Sequence, residues 1–240
     1  MFLTYSNDET NEIYRLNARE TAPLNSFKDM YVADPSAAVK GGLSIAVPGA
    51  VKGYQEFHKK HGKITWKELW QPSIDLALNG YPLTQFFEHK IELNEEMIRD
   101  EKNNLGIYLN SDGSLKKMGD LIKNSELGET MKKISEKGGD EFYHGELVDD
   151  MILDMQDFGS ILVRQDFEDY TVVGESNVEG SGDFSEIFDF VKLPNWDIEM
   201  VLPPAPSSGN ILAFMLGIID DYGSDFAIGI DLNMTTRWVC

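Results

Sequence analysis

Arg19 is the residue of this sequence best suited to ligand chemistry. It lies in the stretch NARETAP at residues 17–23, where a predicted strand runs into a loop. From such a position a guanidinium can reach into a cleft, and its planar fork matches a carboxylate in a bidentate fashion. That geometry would suit an anchor for an amino-acid substrate. Taken alone, an ordinary ion pair with a nearby acidic residue is the stronger interpretation, because the chain has many acids.

Histidines are the candidates for metal binding. His58 and His61 are three residues apart on a predicted helix, where metal ligands can share a face. Lysines separate them and no second ligand pair with zinc-site spacing stands nearby, so we predict solvated surface histidines and no metal site. The sequence contains no GxGxxG, Walker loop, HExxH or GxSxG. The simplest nucleotide-binding, metalloprotease and serine-hydrolase assignments are thereby removed.

The composition limits the kind of partner. Among 240 residues, 21 lysines and arginines face 41 aspartates and glutamates, which gives a formal net charge of −20. No excess of cations is available to replace phosphate counterions or to meet anionic lipid, so we expect no nucleic-acid partner. A small molecule or another protein is favoured. The single cysteine, Cys240, excludes an internal disulfide and says nothing about the compartment.

A β-hairpin is predicted to carry Arg19. Residues 2–5 alternate weakly, residues 6–11 form a polar turn, and residues 13–16 resume the strand. A strand this early suggests that other members of its sheet, and an upstream segment, lie outside this chain.

The remaining sequence predicts mainly helices. Residues 65–68 have capping-box spacing and Asn79-Gly80 is a stop signal. Residues 172–189 are rich in Gly, Ser, Glu and Asp, which indicates a surface insertion or mobile loop. The apolar run 211–219 is too short for a bilayer span of ~20 residues, so we predict a buried helix there. The predicted helices cover about 50–60, 65–79, 83–99, 127–136, 141–156 and 210–222, with a turn at 110–113 and a short strand at 198–202.

Several motifs resemble one enzyme family. RETAP at residues 19–23 resembles the R-E-x-A-P motif of the γ-glutamyltransferases, also called glutathione hydrolases, and GGLSIAVPG at 41–49 is similar to their glycine-rich segment. The resemblance covers roughly residues 2–222. The other matching stretches, in the same order as in the family, are WQPSI at 70–74, GYP at 80–82, FYHG at 142–145, DFEDY at 166–170 and LPPAPSSG at 202–209.

The resemblance implies a fold. Members are N-terminal-nucleophile hydrolases of the α+β class, with an αββα sandwich of stacked sheets between helical layers. This chain would be an incomplete, mostly helical portion of the large subunit with a few strands. We therefore predict a single partial large-subunit domain over residues 1–240, with 223–240 as a divergent tail, and no cofactor.

The resemblance also implies a reaction. A precursor cleaves itself, and the new terminal threonine of the small subunit attacks the γ-glutamyl amide of glutathione, with its own amine as base. Water, an acceptor amino acid or a dipeptide then takes the γ-glutamyl group. Arg19 matches the arginine that holds the donor's α-carboxylate. The implied partners are glutathione, other γ-glutamyl compounds, acceptors and the small subunit, and the implied location is the extracellular face of the plasma membrane.

The C-terminal sequence departs from the family pattern. Thr235-Thr236 resembles the nucleophile pair only superficially, because Arg237 stands where the family has histidine and the expected glycine pair is missing. We therefore predict that the nucleophilic threonine is absent from this chain. Ser207 and Ser208 are candidate nucleophiles, but we predict that one of them caps the next helix instead. A catalytically inactive form that serves as an interaction module, and an unrelated acidic interaction domain, are the alternatives.

Overall fold

A computed structural model describes residues 1–7, 9–10, 12–176, 190–203 and 205–221 of the chain. These residues fall into two compact units. The first comprises Met1–Lys28, Ile45–Phe57 and the described residues from Asp169 onwards, and the second comprises Asp29–Ser44 and His58–Glu168. Helices and strands are mixed in the chain, as expected for the α+β class. The single-domain assignment stays a prediction.

The secondary structure is mostly helical. The strands are β1 Phe2–Asn7, β2 Glu12–Asn17, β3 Tyr81–Pro82, β4 Leu121–Ile122, β5 Val173–Ser176, β6 Phe190–Leu193 and β7 Ile198–Val201. The α-helices are α1 Ala50–His61, α2 Trp66–Asn79, α3 Gln85–Leu93, α4 Glu95–Arg99, α5 Ser125–Lys137, α6 Glu141–His144, α7 Glu146–Asp157, α8 Arg164–Glu168 and α9 Gly209–Asp221. Short 3₁₀ turns lie at Pro35–Ala38, Gly42–Ser44, Glu101–Asn103 and Gly106–Tyr108.

The first unit is built on the predicted hairpin. Strands β1 and β2 pair antiparallel with Leu3 opposite Leu16, and the N-terminal ammonium donates to the carbonyl oxygen of Ala18 at 2.9 Å. Tyr14, Leu16 and Ala18 form a buried cluster on this hairpin. The hairpin prediction is confirmed, and Arg19 lies two residues after the end of β2.

Part of the predicted surface loop is a strand. Residues 173–176 form β5, which pairs antiparallel with the second edge of β2 and gives the sheet order β1-β2-β5. The loop prediction is therefore wrong for these residues. Their polar composition indicates exposure to solvent, but it does not show that the free edge of β2 is close enough for them to pair with it. Residues 177–189 lie outside the described part of the chain.

Helix α9 begins and ends within one residue of its predicted bounds, but its surroundings differ from the prediction. Ile211, Leu212, Phe214, Met215 and Ile218 are between 42% and 70% exposed. The prediction of a buried helix is wrong for this structure. The hydrophobic side chains of α9 favour burial against some other surface. The sequence of the helix does not show whether that surface belongs to this chain.

Helices α2 and α5 pack together in the second unit. Thr65 caps α2 as predicted: its hydroxyl accepts from the Glu68 N–H, and the Glu68 carboxylate accepts from the Thr65 N–H. The indole of Trp66 donates from Nε1 to the carbonyl oxygen of Ile134 at 3.0 Å. The packing places Ile74 and Ala77 of α2 and Ile134 of α5 in buried positions.

Two predicted helices are interrupted. The helix predicted over 83–99 breaks at Asn94, whose side-chain amide donates to the carbonyl oxygen of Lys90 at 2.7 Å. Such a local side-chain bond competes with the helical backbone pattern. The helix predicted over 141–156 breaks at Gly145, which has extended backbone angles. In the described part of the chain, no helix combines the length and hydropathy that a membrane crossing needs.

Candidate functional site

Arg19 lies in the loop just after β2, two residues beyond the strand, and two side chains accept from or donate to its backbone. Its N–H donates to Asn17 Oδ1 at 3.0 Å, and its carbonyl oxygen accepts from the Tyr170 hydroxyl at 2.8 Å. The first bond is local to the strand end. The second joins Arg19 to a residue 151 positions later in the chain.

The Arg19 guanidinium is half exposed and partly engaged. Nε donates to Glu20 Oε1 at 2.9 Å, and Nη1 donates to the carbonyl oxygen of Pro206 at 3.3 Å. Its side chain is 46% exposed. Within the described residues, no hydrogen bond or ion pair involves Nη2. This arrangement leaves a donor for an incoming carboxylate.

The ion pair with a nearby acidic residue, the alternative interpretation of Arg19, is also present as the pair with Glu20. The bond from Arg19 is the main reason why the pKa of the Glu20 carboxyl lies below its usual range. Glu20 is therefore an anion at neutral pH, and a ligand carboxylate at Arg19 would have to share the guanidinium with it. That sharing has modest cost, because exposed ion pairs contribute little stability. The role of Arg19 in binding a substrate stays a prediction.

The proline-rich turn after β7 brings the Pro206 carbonyl to Arg19. Within the turn, the Ser207 hydroxyl donates to the carbonyl oxygen of Pro203 at 2.5 Å and accepts from the N–H of Gly209 at 3.1 Å. The predicted capping role therefore fits Ser207, which satisfies the first N–H of α9. Pro204 lies outside the described residues, and the peptide before Pro206 is cis.

The glycine-rich segment packs beside Arg19. Thr21 and Val47 exchange backbone hydrogen bonds of 3.4 and 2.9 Å. At Gly49 a Cβ atom would overlap the Tyr170 hydroxyl and the carbonyl oxygen of Ala18. A glycine is needed at this position because the tyrosine ring and the Ala18 carbonyl approach its backbone closely.

Tyr170 is a residue whose part in the site the sequence did not reveal. It is 5% exposed, and burial, followed by the charge of Glu20, raises its pKa to about 12. Its hydroxyl therefore stays protonated, and able to donate to Arg19, throughout the physiological range. In the sequence it was only one letter of a matching motif, and nothing nearby indicated its partner.

Arg15 was missed as well. It lies within β2, is 5% exposed, and donates from Nη1 to the carbonyl oxygen of Leu202 at 2.9 Å. A buried arginine in a strand is unusual because its charge must be satisfied internally. The sequence signal for Arg15 is a charged residue in the middle of a predicted strand, between Tyr14 and Leu16.

The histidines do not assemble a metal site within the described residues, where no group of three His, Cys, Asp or Glu side chains is close enough to hold an ion. His58 and His61 are half-buried instead of fully solvated. The His58 ring packs edge-on against Trp66 at 5.4 Å, and its Nε2 lies 2.7 Å from the carbonyl oxygen of Ile64. Thr235, Thr236 and Cys240 lie outside the described residues.

Comparisons with known proteins agree on one family. The model of the gamma-glutamyltranspeptidase family matches residues 1–236. Scoloptoxin SSD14 of Scolopendra dehaani is 31% identical over 222 residues, which are 92% of this chain and 36% of that protein. Glutathione hydrolase 2 of Arabidopsis thaliana is 31% identical over 207 residues, 86% of this chain and 34% of that protein. The chain spans about a third of the length of these curated relatives.

The fold is similar to that of a solved structure. The gamma-glutamyltranspeptidase of Helicobacter pylori superposes with a TM-score of 0.84 at 24% identity, and the match covers 96% of this chain and 64% of that chain. At this level of identity the likeness shows the fold.

Proposed function

Because the chain belongs to the gamma-glutamyltranspeptidase family, we propose that it is the large-subunit region of an enzyme that cleaves the γ-glutamyl bond of glutathione. The γ-glutamyl group passes to water or to an acceptor amino acid or peptide. Relatives named glutathione hydrolase support this assignment. The family membership confirms the resemblance found in the sequence, and the fold confirms the assignment to the N-terminal-nucleophile hydrolase type as an incomplete α+β fold.

The position of Arg19 is the observation that carries the proposal. A γ-glutamyl donor has a free α-carboxylate, and Arg19 offers a half-exposed guanidinium with Nη2 left for it among the described residues. A charge-assisted hydrogen bond of this type is stronger than a neutral one. In the proposed complex, Arg19 fixes one end of the donor, and the scissile amide lies further along the glutamyl side chain.

The nucleophile is proposed to come from a small subunit outside these 240 residues. Its terminal threonine hydroxyl attacks the γ-carbonyl carbon while its own amine takes the proton. The acyl-enzyme forms when the C–N bond of the amide breaks and the leaving amine departs with that proton. Water or an acceptor amine then breaks the acyl bond. Ser207 does not suit this role, because its hydroxyl is engaged with Pro203 and Gly209.

The surface of α9 supports a small-subunit partner. Phe214 is 70% exposed and Ile211 is 62% exposed, both on a helix of strongly apolar composition. Leaving such side chains in water costs roughly 25 cal/mol per Å² of apolar surface relative to burying them. The relatives are about three times as long as their matched part, so a second subunit could provide the cover.

The decisive experiment is an activity assay on the complete precursor. The gene is expressed in full, subunit cleavage is followed on a gel, and release of p-nitroaniline from γ-glutamyl-p-nitroanilide is measured. We expect turnover after cleavage. A correctly cleaved protein without turnover would refute the proposed function, and the inactive interaction module would then be favoured.

The 240-residue chain is a second test of the same proposal. Purified alone, it should show no turnover, and added small subunit should restore activity. Turnover by the chain alone would refute the proposed dependence on a small-subunit nucleophile.

The location is proposed from the family resemblance alone. At the extracellular face of the plasma membrane, the complete protein should be labelled by a membrane-impermeant biotin reagent on intact cells. Labelling only after lysis would refute that location.

A further inference from the structure

The backbone of Arg19 is held by two side chains, one from a residue two positions earlier and one from a residue 151 positions later. Asn17 Oδ1 accepts its N–H at 3.0 Å, and the Tyr170 hydroxyl donates to its carbonyl oxygen at 2.8 Å. The guanidinium is half exposed, and its hydrogen bonds within the described residues go to Glu20 and Pro206. The backbone of Arg19 is thus fixed more firmly than its charged group.

The direction of the Tyr170 hydroxyl is set by packing. Tyr170 is 5% exposed, and its ring occupies the space that a side chain at residue 49 would fill. Thr21 and Val47 pair through their backbones on the neighbouring segment. Interiors packed in this way allow a side chain few alternative positions, so the hydroxyl cannot easily turn away from the Arg19 carbonyl.

A fixed backbone matters for an exposed arginine. A long charged side chain loses much rotamer freedom when it binds a ligand, and its starting point decides which rotamers reach the ligand. Misplacement by about 1 Å is enough to weaken a binding constellation strongly. A group that holds the Arg19 backbone therefore affects how well the ligand binds, although that group does not itself contact the ligand.

We propose that Asn17 and Tyr170 form a backbone clamp that positions Arg19 for the α-carboxylate of the γ-glutamyl donor. Both are positioning residues and neither contacts the donor. The clamp rests on the proposed function, since it needs the donor to bind at Arg19. It adds two residues, one of them 151 positions away from Arg19 in the sequence.

The test uses the complete precursor and γ-glutamyl-p-nitroanilide. Tyr170→Phe removes only the hydroxyl, and Asn17→Ala removes the acceptor for the Arg19 N–H. Each variant should raise KM for the donor about fivefold, because the loss of one neutral hydrogen bond weakens binding by about that factor. kcat should stay within about twofold and subunit cleavage should be normal, because neither residue touches the reacting atoms.

A matched control separates positioning from stability. Tyr143 is also a fully buried tyrosine, in the second unit of the chain. Tyr143→Phe removes a hydroxyl from a buried site without altering the clamp. We expect it to change the melting temperature with KM unaltered.

A double-mutant cycle tests whether the clamp acts through Arg19. In an Arg19→Ala background the clamp has no guanidinium to position, so Tyr170→Phe should leave KM unchanged. The same increase in KM in both backgrounds would overturn the proposal. So would an unchanged KM in Asn17→Ala and Tyr170→Phe when Arg19→Ala raises it.

The cycle also distinguishes failure of the clamp from failure of the proposed function. A cleaved wild-type protein without turnover refutes the function itself. An active wild type in which Arg19→Ala raises KM, but neither clamp variant does, refutes the clamp alone. If Tyr170→Phe does not fold, Asn17→Ala decides the question, because its bond to Arg19 is exposed to solvent.

Discussion

The Arg15 guanidinium donates from Nη1 to the carbonyl oxygen of Leu202 at 2.9 Å, across 187 positions of sequence. Leu202 immediately precedes the turn whose Pro206 carbonyl accepts from Arg19. Strand β2 therefore leads into Arg19, two residues beyond its end, and its Arg15 also holds the residue that precedes the turn to which Arg19 is hydrogen-bonded. One strand organises both sides of the candidate site.

Replacing Arg15 tests this link. Arg15→Met keeps an unbranched apolar stem but removes the donor from a buried carbonyl oxygen. The free energy of unfolding should fall by about 2 kcal/mol, as expected for a hydrogen bond with a charged partner. The measurement is urea denaturation followed by tryptophan fluorescence.

Lys67→Met is the control for Arg15→Met. Lys67 pairs with Glu136 at 3.6 Å and both side chains are exposed, so its loss should change the free energy of unfolding by less than about 0.5 kcal/mol. An Arg15→Met variant as stable as this control would contradict a structural role for the Arg15 bond.

Features that depend on neighbouring residues could be predicted from the sequence. The capping box at Thr65 and the N-terminal hairpin both formed as expected, because their signals lie within a few positions of each other. The bonds from Tyr170 to Arg19 and from Arg15 to Leu202 could not be predicted, since each joins residues more than 150 positions apart. The location of Arg19 was thus predictable, whereas the long-range bond from Tyr170 that holds its carbonyl was not.

Burial and helix breaks show a second limit. The hydropathy of α9 predicted a helix correctly but its burial wrongly, because burial depends on which surface meets the helix. Asn94 and Gly145 break helices whose apolar periodicity continues past them. At Asn94 a single hydrogen bond from the side chain to the Lys90 carbonyl accompanies the break. The spacing of apolar residues gives no information on such a bond, which competes with the hydrogen bonds of the helix backbone.

The close packing at Gly49 gives a prediction about stability. In Gly49→Ala, the new methyl group would overlap the Tyr170 hydroxyl and the Ala18 carbonyl oxygen. Backbone and ring must shift, at an expected cost of about 1–3 kcal/mol in the free energy of unfolding. Gly106→Ala is the control because its methyl group would meet nothing within 4 Å. Equal urea midpoints for the two variants would contradict the tight packing at Gly49.

The raised pKa of Tyr170 predicts a pH dependence. A tyrosine in the unfolded chain ionises near pH ~10, whereas burial and the Glu20 charge raise the Tyr170 pKa to about 12. Between these values the folded chain keeps a proton that the unfolded chain has lost, so the free energy of unfolding falls as pH rises. The contribution is fully present below pH ~10.

Urea denaturation at several alkaline pH values checks this window. Tyr170→Phe has no proton to lose at this position, so its stability should fall less steeply than that of the wild type above pH ~10. Parallel curves for the two proteins would show that Tyr170 does not titrate differently in the folded state.

The last prediction concerns the fork of Arg19. In the complete precursor, Arg19→Lys keeps the positive charge but loses the planar guanidinium that can meet a carboxylate with two parallel bonds. Losing one bond to a charged group should lower kcat/KM for a γ-glutamyl donor about 10- to 100-fold, mainly through KM. Arg99→Lys, at a similarly exposed arginine bonded to Glu95, should leave KM unchanged. If Arg19 had only a structural role, its replacement would reduce subunit cleavage or stability while the surviving enzyme kept a normal KM. Steady-state kinetics beside a subunit-cleavage gel separates the two, and an unchanged KM in Arg19→Lys would remove this residue from the donor site.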